Sequence, residues 1–287
     1  MNKMKNKIIS AVLVLAMAMG VASCSKTDGK SNRSNGDRDR DRDTEDVAPE
    51  SDDGYFIIED KKDGPTLEGL TDKGKKQETL VIPAGVLIGC TLKDSIVKHV
   101  SFESDDDIDL DYLLSGIDTL ETVELPANLT VLPPIDCCHN LKEITIPKGV
   151  TEIPFNTFFA DDALVTVTIE GDVTVIGDNA FMQCYALENI NIPDSVTEIG
   201  PQAFSKCTSL GTVTLPKGLK VIGRNAFSNN DGGIDTVIVP EEMELEDWVK
   251  HSFDQGKAEY TVIVVEGSWA DIHFDEVFDG HVIKKYA

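Results

Sequence analysis

The residues "AFSKCTSL" at 203–210 have near copies on both sides, "AFMQCYAL" at 180–187 and "AFSNNDGGI" at 226–234, each displaced by 23 residues. A fixed interval points to a repeated structural unit before it points to chemistry. Columns around the phrase keep the same step. Phe158, Phe181, Phe204 and Phe227 form one column, and Ile153, Ile176, Ile199 and Ile222 form another. Leu141, Leu164, Leu187 and Leu210 form a third. Cys138, Cys184 and Cys207 form a fourth, interrupted by Asp161.

Short apolar strands that end in proline mark the units: "LVIP" (80–83), "VELP" (123–126), "ITIP" (144–147), "INIP" (190–193), "VTLP" (213–216) and "VIVP" (237–240). "VSFE" (100–103) and "VTIE" (167–170) fill two gaps with glutamate in the proline place, so the landmarks step by 20, 23, 21, 23, 23, 23 and 24 residues. In "LENINIP" the inward residues are Leu187, Ile190 and Ile192, and Val196 and Ile199 predict a second short extended piece. One such unit cannot bury its own apolar face, whereas stacked units bury it in a continuous column. Proline at the strand end removes an N–H where ladder pairing stops. Gly177, Gly200 and Gly223 follow the isoleucine column and are expected to serve tight turns. Parallel strands about 4.8 Å apart would make eight units span about 35–40 Å.

The chain of 287 residues is 41% apolar but only 6% aromatic, so aliphatic side chains must fill the core. Its net charge of −25 repels nucleic acid and anionic membranes, which disfavours backbone binding to DNA or RNA. The N-terminus begins with the basic "MNKMKNK" and continues with the apolar run "IISAVLVLAMAMGVA" (8–22), the layout of an export signal. "VASC" (21–24) resembles the lipobox of bacterial lipoproteins. That resemblance implies a signal peptide over 1–23, lipidation of Cys24 and anchorage at the extracellular face of a bacterial cell membrane, where a two-chain lipid holds stably. Residues 24–54, with "DRDRDRD" at 37–43, have almost no apolar residues and are expected to be a disordered tether.

The run "INIPDSVTEIGPQAFSKCTSL" (190–210) resembles the BspA-like leucine-rich repeat family, whose phrase is a strand ending Ile-Pro, then Val-Thr-x-Ile-Gly, then Ala-Phe-x-x-Cys-x-x-Leu. The resemblance covers about 69–240 and is most specific over 141–230. It is looser at 84–140, where "DCCHN" replaces the Ala-Phe turn. "VEGSWADIHFDEVF" (265–278) is similar to that family's last unit. The implied fold is a leucine-rich-repeat solenoid, mainly parallel β with short turns, a right-handed coil of about eight repeats plus a C-terminal cap. The expected divisions are an N-terminal cap and first degenerate repeat at 55–100, leucine-rich repeats at 101–240 and the C-terminal cap at 241–287. A cap hides core and unpaired strand edge.

The sequence carries few signs of chemistry. There is no G-x-S-x-G, P-loop, H-E-x-x-H or C-x-x-C motif, and no histidine among His99, His139, His251, His273 and His281 sits in a nucleophile motif. We therefore expect no enzyme, no metal and no cofactor. "ESDDDIDLD" (103–111) invites a calcium reading but lacks the spacing, glycine and terminal glutamate of an EF-hand, and reads better as an irregular acidic loop. Column cysteines 138, 184 and 207 read as buried thiols, while the sequence leaves open a bond between Cys90 and Cys137.

What remains is surface. The residues between inward-facing positions point to the other side of each strand. They are Thr122 and Glu124, Glu143 and Thr145, Thr166 and Thr168, Asn189 and Asn191, Thr212 and Thr214, then Thr236 and Ile238, a ribbon about six strands wide. Strand propensity and cross-strand threonine pairing account for such a ribbon, and so does a recognition face. In the second case its hydroxyls and amides suit a polar partner, a protein or a glycan on a host or microbial surface, giving adhesion. The rival is a structural envelope component without a specific ligand. The oligomeric state is open.

Overall fold

The computed structural model describes residues 54–228, 233–245, 247–248, 252–253, 259–278 and 281–287. The expected signal peptide, Cys24 and nearly all of the tether lie outside the described residues.

An antiparallel hairpin comes first, β1 (Phe56–Lys61) and β2 (Gly64–Leu70), followed by a 3-10 turn at Gly74–Lys76. Then short strands alternate: β3 (Thr79–Ile82), β4 (Leu87–Ile88), β5 (His99–Phe102), β6 (Thr122–Val123), β7 (Glu143–Ile146), β8 (Glu152–Ile153), β9 (Thr166–Ile169), β10 (Val175–Ile176), β11 (Asn189–Ile190) and β12 (Glu198–Ile199). The series continues with β13 (Gly211–Thr214), β14 (Val221–Ile222), β15 (Ile234–Ile238), β16 (Asp247–Trp248) and β17 (Glu259–Val264). Two single-turn helices, Trp269–Ile272 and Phe274–Val277, precede β18 (His281–Tyr286).

The result is a parallel β-solenoid. Every one of the eight landmark strands is present, and each coil from β7 to β15 also carries the second extended piece. Strands β8, β10, β12, β14 and β16 form one parallel ladder in which Ile153, Ile176, Ile199 and Ile222 are successive partners. The landmark strands, continued by β17 and β18, form three parallel sheets, β3-β5-β6, β7-β9-β11 and β13-β15-β17-β18.

The core follows the columns. Phe158, Phe181, Phe204 and Phe227 are fully buried, and their rings stack at 5.0–5.1 Å within 14° of parallel. Such a spacing is that of neighbouring strands with a small offset, the favoured arrangement of aromatic faces. Burying one phenylalanine contributes about 1.5–3 kcal/mol, and the stack repeats the gain coil by coil. The leucine and isoleucine columns are buried with them.

A third ladder holds the phenylalanine corner. The N–H groups of Phe158, Phe181 and Phe204 donate to the carbonyls of Ala180, Ala203 and Ala226 in the next coil, at 2.7–2.8 Å. The corner turns through left-handed residues at two fixed positions per coil. Asn156, Asn179, Gln202 and Asn225 have φ of 55–58°, and Cys137, Ala160, Gln183 and Lys206 have φ of 58–68°.

The glycines open the corner turns as expected, but the turn is not what requires glycine. The carbonyls of Gly177, Gly200 and Gly223 accept from the N–H of Ala180, Ala203 and Ala226 at 3.3 Å, and none of the three is at positive φ. A Cβ on Gly223 would stand 2.3 Å from the Pro201 nitrogen, and one on Gly177 would stand 2.8 Å from the Phe155 nitrogen. They are glycine because the preceding coil's backbone passes too close for a side chain. Their N–H groups donate to Ile153, Ile176 and Ile199 in that coil at 2.7–2.8 Å.

Beyond Pro240 the coil geometry continues. Trp248 pairs with Ile222, β17 pairs with β15, and the Phe253 ring stacks on Phe227 at 5.3 Å and 4°. The stack then changes character: Phe278 lies 5.1 Å from Phe253 but tilted by 44°, and Phe274 is tilted by 41° against Phe278. Strand β18 sets Lys284 opposite Val262, in the row that holds buried Val213, Val237 and Val262 in earlier strands. Lys284 pairs there with Asp271 and lies over the Phe274 ring, 4.6 Å from its centre.

Candidate functional site

The ribbon arises because strands alternate inward and outward and the coils keep register. Val100, Val123, Ile144, Val167, Val213 and Val237 face the core. Their neighbours form two outward rows. In the first row, Thr79, His99 and Thr122 are successive partners, then Glu143, Thr166 and Asn189, then Thr212, Thr236, Thr261 and Ile283. In the second, Val81 pairs with Ser101, Thr145 with Thr168, and Thr214 with Ile238 and Ile263.

Thr145, Thr168, Asn191, Thr212, Thr214, Glu124 and Glu143 are exposed, whereas Thr122, Thr166, Thr236 and Ile238 are half-buried. The side chain of Asn189 lies outside the described residues. The ribbon is broken where the sheets part. After β6, the sheet does not pair on to β7, and β13 begins with Gly211 at φ 59° and a shifted register against β15. Three facets replace one continuous strip.

The ribbon also extends further than expected. His99 and Ser101 extend it toward the N-terminus, and Thr261 and Ile263 extend it toward the C-terminus. His99 Nδ1 lies 2.8 Å from Thr122 Oγ1 across the strands. Alternation in "HVSF" and "EYTVIV" carried this signal. Among the described residues the available groups are hydroxyls, the Asn191 amide and the exposed Glu124 and Glu143 carboxylates. They donate and accept hydrogen bonds but offer little apolar anchorage.

The other candidate groups are engaged in structure. In the acidic stretch 103–111, Asp107 accepts from the Thr130 N–H at 2.8 Å and its hydroxyl at 2.7 Å, which holds the Asp107 carboxyl below the usual range. Asp105 accepts from the Ala127 N–H at 3.1 Å, and Glu103, in the proline place, accepts from the Ala84 N–H at 3.0 Å. The carboxylates thus satisfy backbone donors of neighbouring coils. His139 Nδ1 lies 3.3 Å from Asp162, and His273 lies 3.3 Å from Glu276 with its ring against Trp269. His251 and the side chains of Trp248 and His281 lie outside the described residues. Among the described residues, no three of His, Cys, Asp and Glu converge as metal ligands.

Cys90, Cys138, Cys184 and Cys207 are free thiols, so the bond left open between Cys90 and Cys137 is not formed. Cys90 is half-buried at a cleft of about 420 Å³ lined by Ile57, Glu68, Leu70 and Lys75. Burial, and then the Glu68 charge, push its thiol up to about 11, so it is protonated at neutral pH and a poor nucleophile.

Residues 135–257 match the BspA type leucine rich repeat region in six copies. No curated protein matches the chain. Solved structures match the chain at low identity. A leucine-rich repeat protein from Bacteroides ovatus is 21% identical, with 73% of this chain and 66% of that chain covered and a TM-score of 0.43. The pneumococcal vaccine antigen PcpA is 13% identical, with 73% and 68% covered and a TM-score of 0.43. A leucine rich cell surface protein from Faecalibacterium prausnitzii is 16% identical, with 84% and 96% covered and a TM-score of 0.34. The chain thus spans just under two thirds of the Bacteroides ovatus protein, at 66%.

Proposed function

We propose that this chain, whose residues 135–257 are a BspA-type leucine-rich repeat region, is a lipid-anchored bacterial surface protein that binds a macromolecular partner through its outward ribbon. One observation carries the reading. Thr145, Thr168, Asn191 and Thr214 are exposed on four successive coils at the same repeat position, so each of these coils presents one polar group there. Strand propensity and cross-strand pairing favour threonine in the outer rows, and solenoids also use such sheets as binding surfaces. The anchor follows from Cys24 in "VASC", and the polar stretch 25–54 would hold the solenoid away from the lipid.

The partner class is a protein or glycan of a host or microbial surface. A net charge of −25 disfavours polyanions. The test is binding of the purified chain to immobilised matrix proteins and glycans, beside a variant carrying Thr145→Arg, Thr168→Arg and Thr214→Arg. Loss of binding by a folded variant supports the ribbon, and undiminished binding rejects it. Binding of neither protein to any surface, with a deletion strain defective only in envelope integrity, would favour the structural role.

A further inference from the structure

The thiol column makes a paired set of hydrogen bonds. Cys184 Sγ donates to the Phe158 carbonyl at 3.1 Å, and Cys207 Sγ donates to the Phe181 carbonyl at 3.2 Å. Each reaches the phenylalanine-column residue of the preceding coil, 26 residues back. Each sulfur also faces a backbone N–H of that coil, from Asp161 for Cys184 and from Cys184 for Cys207. One thiol therefore accepts and donates at once.

Asp161 stands in the same column and is fully buried. Its Oδ1 accepts from the Cys138 N–H at 2.7 Å, which is the accepting half of the pattern. Its Oδ2 is buried without a partner. The donating half would run to Ile135, the residue 23 before Phe158 in the phenylalanine column. In the other coils the column residue's own N–H closes a turn onto the phenylalanine carbonyl, as Cys184 does to Phe181 at 3.2 Å. The Cys138 N–H is diverted to Asp161 instead, so the Ile135 carbonyl loses that turn donor. An ionised carboxylate has no proton to give to a carbonyl.

We propose that Asp161 is carried in the folded chain as a neutral carboxylic acid, with Oδ1 accepting from Cys138 and the Oδ2 hydroxyl donating to the Ile135 carbonyl, and that losing this proton loosens the two coils it joins. The titratable groups around it are the Asp136 and Asp162 carboxylates and the Cys138 and Cys184 thiols, with His139 beside Asp162. Burial pushes the Asp161 carboxyl well above its ordinary range, and Asp136 and Asp162 push the same way against the lowering from Cys138. The sign follows. A folded-state value above the unfolded one gives stability that is complete in acid and is lost as pH rises toward the folded value. The element is an alkali-sensitive joint between coils, set in the middle of the solenoid.

The test compares the full chain with Asp161→Asn, whose amide keeps an acceptor and a donor without a titration. Folding stability is measured by denaturant between about pH 5 and pH 9, above the ordinary aspartate value of about 3.9. The wild-type folding constant should fall relative to the variant by up to tenfold per pH unit. Parallel curves, or a wild type that gains with pH, would overturn the proposal. Carbon-13 spectroscopy of the Asp161 carboxyl in the wild-type chain decides the matter even if the variant fails to fold. A protonated signal at neutral pH supports the neutral acid, and a carboxylate signal removes it.

Discussion

The rings of Phe181 and Phe204 lie 5.1 Å apart and within 8° of parallel, although 23 residues of chain separate them. That pair is the repeat in its smallest form. Both side chains are fully buried and each packs against a neighbour on either side, so truncation leaves a cavity that rigid coils cannot close. Phe204→Ala should cost about 3–5 kcal/mol in denaturant unfolding. A loss below about 1 kcal/mol would mean that the coils collapse freely onto the gap.

Glycine substitutions separate close approach from turn conformation. Gly223→Ala places a Cβ 2.3 Å from the Pro201 nitrogen, so the coils must part. Gly69→Ala meets nothing within 4 Å and is not at positive φ. The first should destabilise by more than about 1 kcal/mol, and the second should be neutral or stabilise by about 0.4–1 kcal/mol. Thermal melts of the two variants check the contrast, and equal effects would contradict it.

The left-handed corner residues give the opposite case. Ala160 sits at φ 62°, where a Cβ is strained and no polar side chain compensates. Ala160→Gly should stabilise the chain by about 0.5–1 kcal/mol, less than the full strain of about 1–2 kcal/mol because glycine costs unfolded-state entropy. A lower melting temperature would show that the buried methyl outweighs the strain.

The end of the ladder should respond to acid. Asp271 binds Lys284, accepts from the Gly267 N–H at 2.9 Å and lies 3.2 Å from the Tyr286 hydroxyl. Lys284, then the Gly267 N–H, hold its carboxyl below the ordinary range. The resulting stability is present above the unfolded value and is lost as pH falls through the folded one. Amide protection in β18 should therefore drop below about pH 4 while β9 stays protected, and Asp271→Asn should remove the pH dependence. Uniform loss across both strands would contradict a local latch.

Much of this architecture was legible because a solenoid repeats its hydrophobic columns. Phe158, Phe181, Phe204 and Phe227 announced the stack by spacing alone, and the isoleucine column announced the second ladder. Phe253 escaped notice because it comes 26 residues after Phe227, in "HSF" where "AF" is usual. The first left-handed corner left a signal that was not used, since Asn156, Asn179 and Asn225 repeat there, whereas the second was invisible because Cys, Ala, Gln and Lys all serve. Gly223 was legible as a turn residue, but the reason it must be glycine was not, because close approach between coils leaves the same single letter as a turn. Outward positions were legible as a face by alternation, but the partings at β6 and β13 depend on pairing that no periodicity records.

The most direct measurement of the ribbon's role is a hydrogen-exchange footprint of the chain on a surface component captured in the binding panel. The ribbon reading predicts added protection in Glu143–Ile146, Thr166–Ile169 and Gly211–Thr214, with the β8–β16 ladder unchanged. Protection confined to that ladder or to the hairpin of β1 and β2 would contradict it.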